Sequence, residues 1–239
     1  MAVIGRPTTG VMTRLWLFLC AILCACGPFS GPPGGTVLVA GDSTMAWNGT
    51  QNASVADHLG RMLPVDVDSV ARSGARFSHP RPGPRRVGFD IRAQVRGATS
   101  RWVVMTGGAN ELGTECICGA CGGVARGLIS ADGTRGEIPE TVTALRTRGV
   151  RVVWAIYYTV PRRDGPWEAC TPSFDHIAMG VRAMAAGDPG ILTYDMARAV
   201  PQTRADLFAP DGLHPSGEGS RRIARGIADA LRAADPTLR

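Results

Sequence analysis

The chain has 239 residues, 44% apolar and 19% charged, which suits one α/β domain with a sizeable core, is short for two, and excludes wholesale disorder. The formal charge of +6 rests on 26 arginines with no lysine at all. These arginines are spread along the chain and form no basic stripe interleaved with aromatics, so no nucleic-acid partner is expected.

At the N-terminus, Arg6 and Arg14 precede an apolar run from Leu15 to Cys26, which Gly27-Pro28 breaks. About a dozen apolar residues is the length of a signal-peptide core and falls short of the ~20 that span a bilayer. Residues 1–26 are therefore expected to be an export leader. Leu23-Cys24-Ala25-Cys26 resembles a bacterial lipobox, which makes Cys26 a lipidation candidate and would supply a membrane tether. Small residues there also suit ordinary cleavage, so lipoprotein and freely secreted protein both stay open. Residues 27–35, rich in glycine and proline, read as a linker, and 36–239 as a single domain.

Within that domain, β-rich apolar runs alternate with helical stretches. The strands are expected at Thr36–Ala40, Val65–Ala71, Trp102–Thr106, Val150–Tyr158 and Ile191–Tyr194, and helices near 51–63, 88–97, 135–148, 174–186 and 216–233. The alternation predicts a parallel sheet with helices on both faces, and Val37-Leu38-Val39 has the continuous apolar character of a strand buried on both sides. In such sheets ligands sit beyond the carboxyl ends of the strands. The chemically interesting residues fall there: Asp42-Ser43 after the first run, Gly74 after the second and Asn110 after the third.

A serine raised at a strand end is a poor nucleophile unless a base lies within hydrogen-bond reach and a third group orients that base. Of the four histidines, His214 is the candidate base, because Asp211-Gly212-Leu213-His214-Pro215 carries a carboxylate on the same short loop. Pro215 or Ser216 is expected to start the last helix. His58 falls inside a helix, His79 in a Pro/Arg loop that could line a cleft, and His176 at a helix start with a structural role. Asp42 is expected to organise its own turn.

Three cysteines, Cys20, Cys24 and Cys26, belong to the leader region, leaving Cys116, Cys118, Cys121 and Cys170 in the folded part. An even set in an exported chain reads as two disulfides, with three pairings open; a four-thiolate zinc site is the alternative. These sulfurs are expected to staple a long glycine-rich loop. The stretch from Tyr157-Tyr158 to Trp167 is a candidate cleft wall whose aromatics could stack on sugar rings or simply pack.

Gly41-Asp42-Ser43 near one end, Ala71-Arg72-Ser73-Gly74, Gly107-Gly108-Ala109-Asn110-Glu111 and Asp211-x-x-His214 follow one another in the order of the SGNH (GDSL-like) hydrolase blocks, and the chain resembles that family from residue 36 to about 232. The resemblance implies a three-layer α/β/α fold with a mostly parallel, flavodoxin-like five-stranded sheet. It also implies a Ser43–His214–Asp211 triad, and an oxyanion hole made by the Ser43 and Gly74 backbone N–H groups and the Asn110 side chain. Glu111 departs from the family's usual Asp, which is expected to alter that loop. Gly41-Asp42-Ser43-Thr44-Met45-Ala46 looks like the carbohydrate acetylesterases of the family, so the expected activity is removal of short acyl groups from a small-molecule or polysaccharide ester, with no cofactor. An acyltransferase, lysophospholipase or thioesterase using the same site is the alternative.

Overall fold

Continuous apolar runs become five short parallel strands, because only a position covered on both faces keeps every side chain dry. The computed structural model describes residues 36–78, 88–158 and 167–239. The leader, the linker, Cys26, His79 with most of its Pro/Arg loop, and the middle of the Tyr157–Trp167 stretch lie outside the described residues. The strands are β1 (Val37–Ala40), β2 (Val67–Ser69), β3 (Trp102–Met105), β4 (Arg151–Ile156) and β5 (Ile191–Asp195). They lie in the order β2-β1-β3-β4-β5, the flavodoxin-like arrangement. Val37 stands opposite both Val67 and Trp102, Trp102 opposite Arg151, and Val152 opposite Ile191. Central β1 and β3 are buried throughout. The edge strand β2 pairs on one side only and stops after three residues, well short of the expected Val65–Ala71, because its Val-Asp-Ser sequence stays partly exposed.

Eight α-helices fill the described connections: α1 (Ser43–Ala46), α2 (Val55–Met62), α3 (Ile91–Val95), α4 (Ala109–Glu115), α5 (Gly122–Leu128), α6 (Glu137–Thr147), α7 (Thr171–Ala186) and α8 (Gly217–Ala234). The expected helix near 51–63 is a 3₁₀ turn, Gly49–Gln51, followed by α2, which begins at a capping box. Ser54 Oγ accepts from the Asp57 N–H at 3.2 Å, and Asp57 accepts from the Ser54 N–H at 2.9 Å. Helix α8 is capped by Ser216, whose Oγ accepts from the Gly219 N–H, so Pro215 lies just outside the helix. Its Ile223, Ile227 and Leu231 recur every four residues on one buried face.

Strand alternation splits the core in two. Val39, Val104, Val153 and Ala155 pack with Leu59 of α2 and Ile223 and Ile227 of α8. Leu38, Val103, Trp154 and Ile156 pack with α3 to α7, through Ile91, Leu112, Leu128, Val142 and Ile177 among others.

The cysteine region differs from the expected open loop. Helices α4 and α5 flank it, each burying apolar residues (Leu112; Ala125 and Leu128) despite their glycines. Cys116 pairs with Cys121 and Cys118 with Cys170, so the four sulfurs form disulfides and not a thiolate metal site. The second bridge ties the α4–α5 connection to the residue just before α7. Among the described residues no helix is long and apolar enough to cross a membrane.

Candidate active site

The site is built on turns at the carboxyl ends of β1, β2 and β3 and on the loop before α8. After β1 the chain turns sharply at Gly41 (φ +124°), where a Cβ would come within 2.5 Å of the Thr106 carbonyl oxygen, so glycine is required. The buried Gln94 amide braces this turn, accepting from the Gly41 N–H at 2.7 Å and donating to the Gly41 carbonyl at 3.1 Å. Asp42 caps α1 by accepting from the Thr44 N–H at 3.0 Å, and Ser43 opens the helix. The Ser43 N–H is thus a first-turn donor without an intrahelical partner.

His214 reaches Ser43 from the other end of the sequence. Its Nε2 lies 2.8 Å from Ser43 Oγ, and its Nδ1 lies 2.7 Å from Asp211 Oδ2. The other Asp211 oxygen accepts from the backbone N–H groups of Leu213 (2.9 Å) and His214 (3.0 Å). With Nδ1–H donating to the carboxylate, Nε2 is left as an acceptor for the serine hydroxyl. Desolvation works against ionisation of Asp211, but the hydrogen bonds from His214 and the two backbone N–H groups outweigh it and hold the carboxyl below its ordinary range.

Gly74 (φ +81°) and Asn110 line the same cavity as Ser43 and His214. Asn110 does not cap α4; Gly108 occupies the cap position. One Asn110 amide hydrogen is used on the Ala75 carbonyl at 3.0 Å, which leaves the second available to the cavity. Asn110 therefore fixes the backbone beside Gly74.

Glu111 is fully buried, and its Oε1 accepts from the backbone N–H groups of Phe77 and Ser78. Its Oε2 is buried with no partner. Desolvation pushes this carboxyl up to about 7, against the pull of its backbone donors. The longer side chain thus reaches across from α4 and ties down the segment that follows Gly74. Asp42 does more than shape its turn: buried, it accepts a hydrogen bond from the Tyr157 hydroxyl. Burial raises the Asp42 pKa, and the Tyr157 bond only partly offsets this.

The geometry brings together residues with the order and spacing of one hydrolase family. A model of the GDSL-like lipase/acylhydrolase family matches residues 39–222. The chain belongs to that family, whose members are serine ester hydrolases. This GDSL-like hydrolase also shares its fold with solved structures. A Slackia heliotrinireducens protein proposed to be an SGNH hydrolase has a TM-score of 0.57 at 23% identity, over 82% of this chain and 97% of that one. A GDSL-like lipase from Bacteroides thetaiotaomicron gives 0.56 at 17%, over 92% and 97%. A carbohydrate acetylesterase from Sinorhizobium meliloti gives 0.55 at 15%, over 82% and 98%. No curated protein matches the sequence.

Several supporting residues of this hydrolase escape a reading by motif. Trp47, one helical turn beyond Ser43, stacks flat on the His214 ring, with centroids 3.7 Å apart and planes 7° from parallel. Asn48 donates to the Pro215 carbonyl at 3.0 Å and to Ser220 Oγ at 3.1 Å, joining the serine turn to the histidine loop. Tyr158 donates to the Leu213 carbonyl at 2.9 Å. Tyr157, Tyr158 and Trp167 all line the cavity, as the cleft-wall expectation has it. His176 bonds the Ile129 carbonyl at 2.9 Å and His58 lies 2.9 Å from Arg61, both away from Ser43.

Proposed function

We propose that the protein is an exported carboxylic ester hydrolase in which Ser43 is the nucleophile, His214 the general base and then acid, and Asp211 the group that orients and stabilises the imidazolium. The unbroken chain from Ser43 Oγ through His214 to Asp211, at 2.8 and 2.7 Å, carries this reading. His214 takes the serine proton as Ser43 Oγ attacks the ester carbonyl. The resulting oxyanion meets the Ser43 and Gly74 N–H groups and the spare Asn110 amide hydrogen. Collapse expels the alcohol, protonated by His214, and leaves an acyl-Ser43 ester that water cleaves by the same relay. The two disulfides and the leader sequence support export.

Hydrolysis of p-nitrophenyl acetate by the purified protein, beside Ser43→Ala, tests this. Turnover in the wild type and a loss of at least 10³-fold in the variant are expected. Equal rates from two folded proteins would remove Ser43 from the mechanism.

A further inference from the structure

The cavity in front of Ser43 is far larger than a short acyl group needs. Its volume, which includes the catalytic end lined by Trp47, Leu213 and His214, is about 370 Å³, whereas a methyl group takes roughly the ~30 Å³ share of one water. From the Ser43 end it runs past Trp167 and between the carboxyl half of β4 (Trp154, Ile156) and the first turns of α7 (Phe174, Ile177, Ala178). Trp154 and Ile177 are buried core residues, so this is a gap between sheet and helix and not a surface dent. The charged side chains on its lining, His214 aside, are Asp175 and the Arg182–Asp195 pair (3.0 Å), all solvent-accessible. The stretch beneath α7 is mainly aromatic and aliphatic, with the Thr171 side chain beside it.

The direction of the cavity decides which part of an ester it receives. Trp154 and Ile156 point to the α3–α7 side of the sheet, while α8, which follows His214 directly, packs on the other side. The imidazole, stacked on Trp47 and tied down through Tyr158 and Asn48, therefore approaches Ser43 from the α8 side. A base that hands its proton to the leaving alcohol must have that alcohol on its own side. The acyl substituent points away from that alcohol, and the apolar lining on the side away from His214 is the stretch beneath α7.

We propose that the part of this cavity beneath α7 is the acyl subsite, and that the ester this enzyme serves carries an apolar acyl group of about six to ten carbons. The proposal rests on the esterase reading of the same site and goes against the acetyl preference suggested by Gly41-Asp42-Ser43-Thr44-Met45-Ala46. An acetyl methyl would leave most of the apolar wall uncovered, and each further methylene that is buried raises kcat/KM by up to about fourfold.

The test is kcat/KM for p-nitrophenyl acetate, butyrate, hexanoate and octanoate, below micelle formation and each divided by its spontaneous rate. Wild type and Ala178→Phe, which pushes a ring into the cavity, are compared. The expected result is a rise of at least tenfold from acetate to octanoate in the wild type. The octanoate-to-acetate ratio should fall at least tenfold in Ala178→Phe. A wild-type optimum at acetate with an unchanged ratio in the variant overturns the proposal. If Ala178→Phe does not fold by circular dichroism, Ala178→Leu takes its place. Failure to hydrolyse any of the four esters would instead sink the esterase reading. The cavity is then judged alone, by sodium octanoate and tryptophan emission, with Trp47, Trp154 and Trp167 all on its lining: a change that Ala178→Phe abolishes keeps an apolar ligand site, and no change ends the proposal.

Discussion

On the α8 side of Ser43, His214 is held by hydrogen bonds that water can reach; on the α4 side, the segment after Gly74 is held by the buried Glu111 carboxyl of α4, and two disulfides bracket the end of α4. The Asp211 side chain is 38% exposed and its carboxyl is kept low by donors, whereas Glu111 is dry and its carboxyl is raised. The contrast follows the chemistry proposed for each side. A general base must gain and lose a proton, and a partner that stays ionised stabilises the imidazolium that forms. An oxyanion site works by preorganisation, and donors that do not move are best fixed by burial and cross-links.

The largest break in that contrast comes from the Cys118–Cys170 bridge, which closes a loop with a sequence separation of 52 residues. In the chain-entropy picture such a loop contributes about 4 kcal/mol, against about 2 kcal/mol for Cys116–Cys121. Replacing Cys118 and Cys170 together by serine should lower the melting temperature by about 8–16 °C, and replacing Cys116 and Cys121 by about half as much. Equal losses from both pairs would mean that the bridge to α7 adds nothing beyond local stapling.

Glu111→Gln separates the two sides by pH. The Glu111 carboxyl is raised from 4.5 to about 7, so the folded state holds its proton more tightly than the unfolded chain does. The stabilisation is complete below about pH 4.5 and is lost as pH rises to about 7, a change of about 3 kcal/mol. Glutamine keeps the acceptor facing the Phe77 and Ser78 N–H groups but does not titrate. Thermal melts from pH 5 to pH 8 should therefore show the wild type losing about 6–10 °C relative to the variant. Parallel curves would show that Glu111 is not held protonated by its burial.

Which parts of this were visible in the chain depends on how local their causes are. Val37–Ala40 and Trp102–Met105 read as strands because burial on both faces writes an apolar run. Asp211 and His214 read as a pair because one five-residue loop holds both. By contrast, glycines 113, 122, 123 and 127 hid α4 and α5, which persist because Leu112 and Leu128 are buried and the disulfides bracket them. An acidic residue in sequence reads as solvated, so Glu111 gave no sign of its burial. The partners of Asn48 lie 167 and 172 residues away, a separation that no spacing rule connects.

Trp47 gives the smallest expected effect and the finest test of the α8 side. Its ring lies flat on His214 at 3.7 Å, and it also lines the cavity. When His214 takes the Ser43 proton the imidazole becomes a cation facing an indole, a contact worth about 0.5–1 kcal/mol at a partly exposed site. That charge exists only after proton transfer, so the stabilisation belongs to the transition state more than to the bound ester. Trp47→Leu should therefore lower kcat about two- to fivefold, leave KM within about twofold, and be largely rescued by Trp47→Phe. A rise in KM with kcat intact would assign Trp47 to the wall of the substrate site, and would leave Asp211 and the loop hydrogen bonds as the whole of what orients His214.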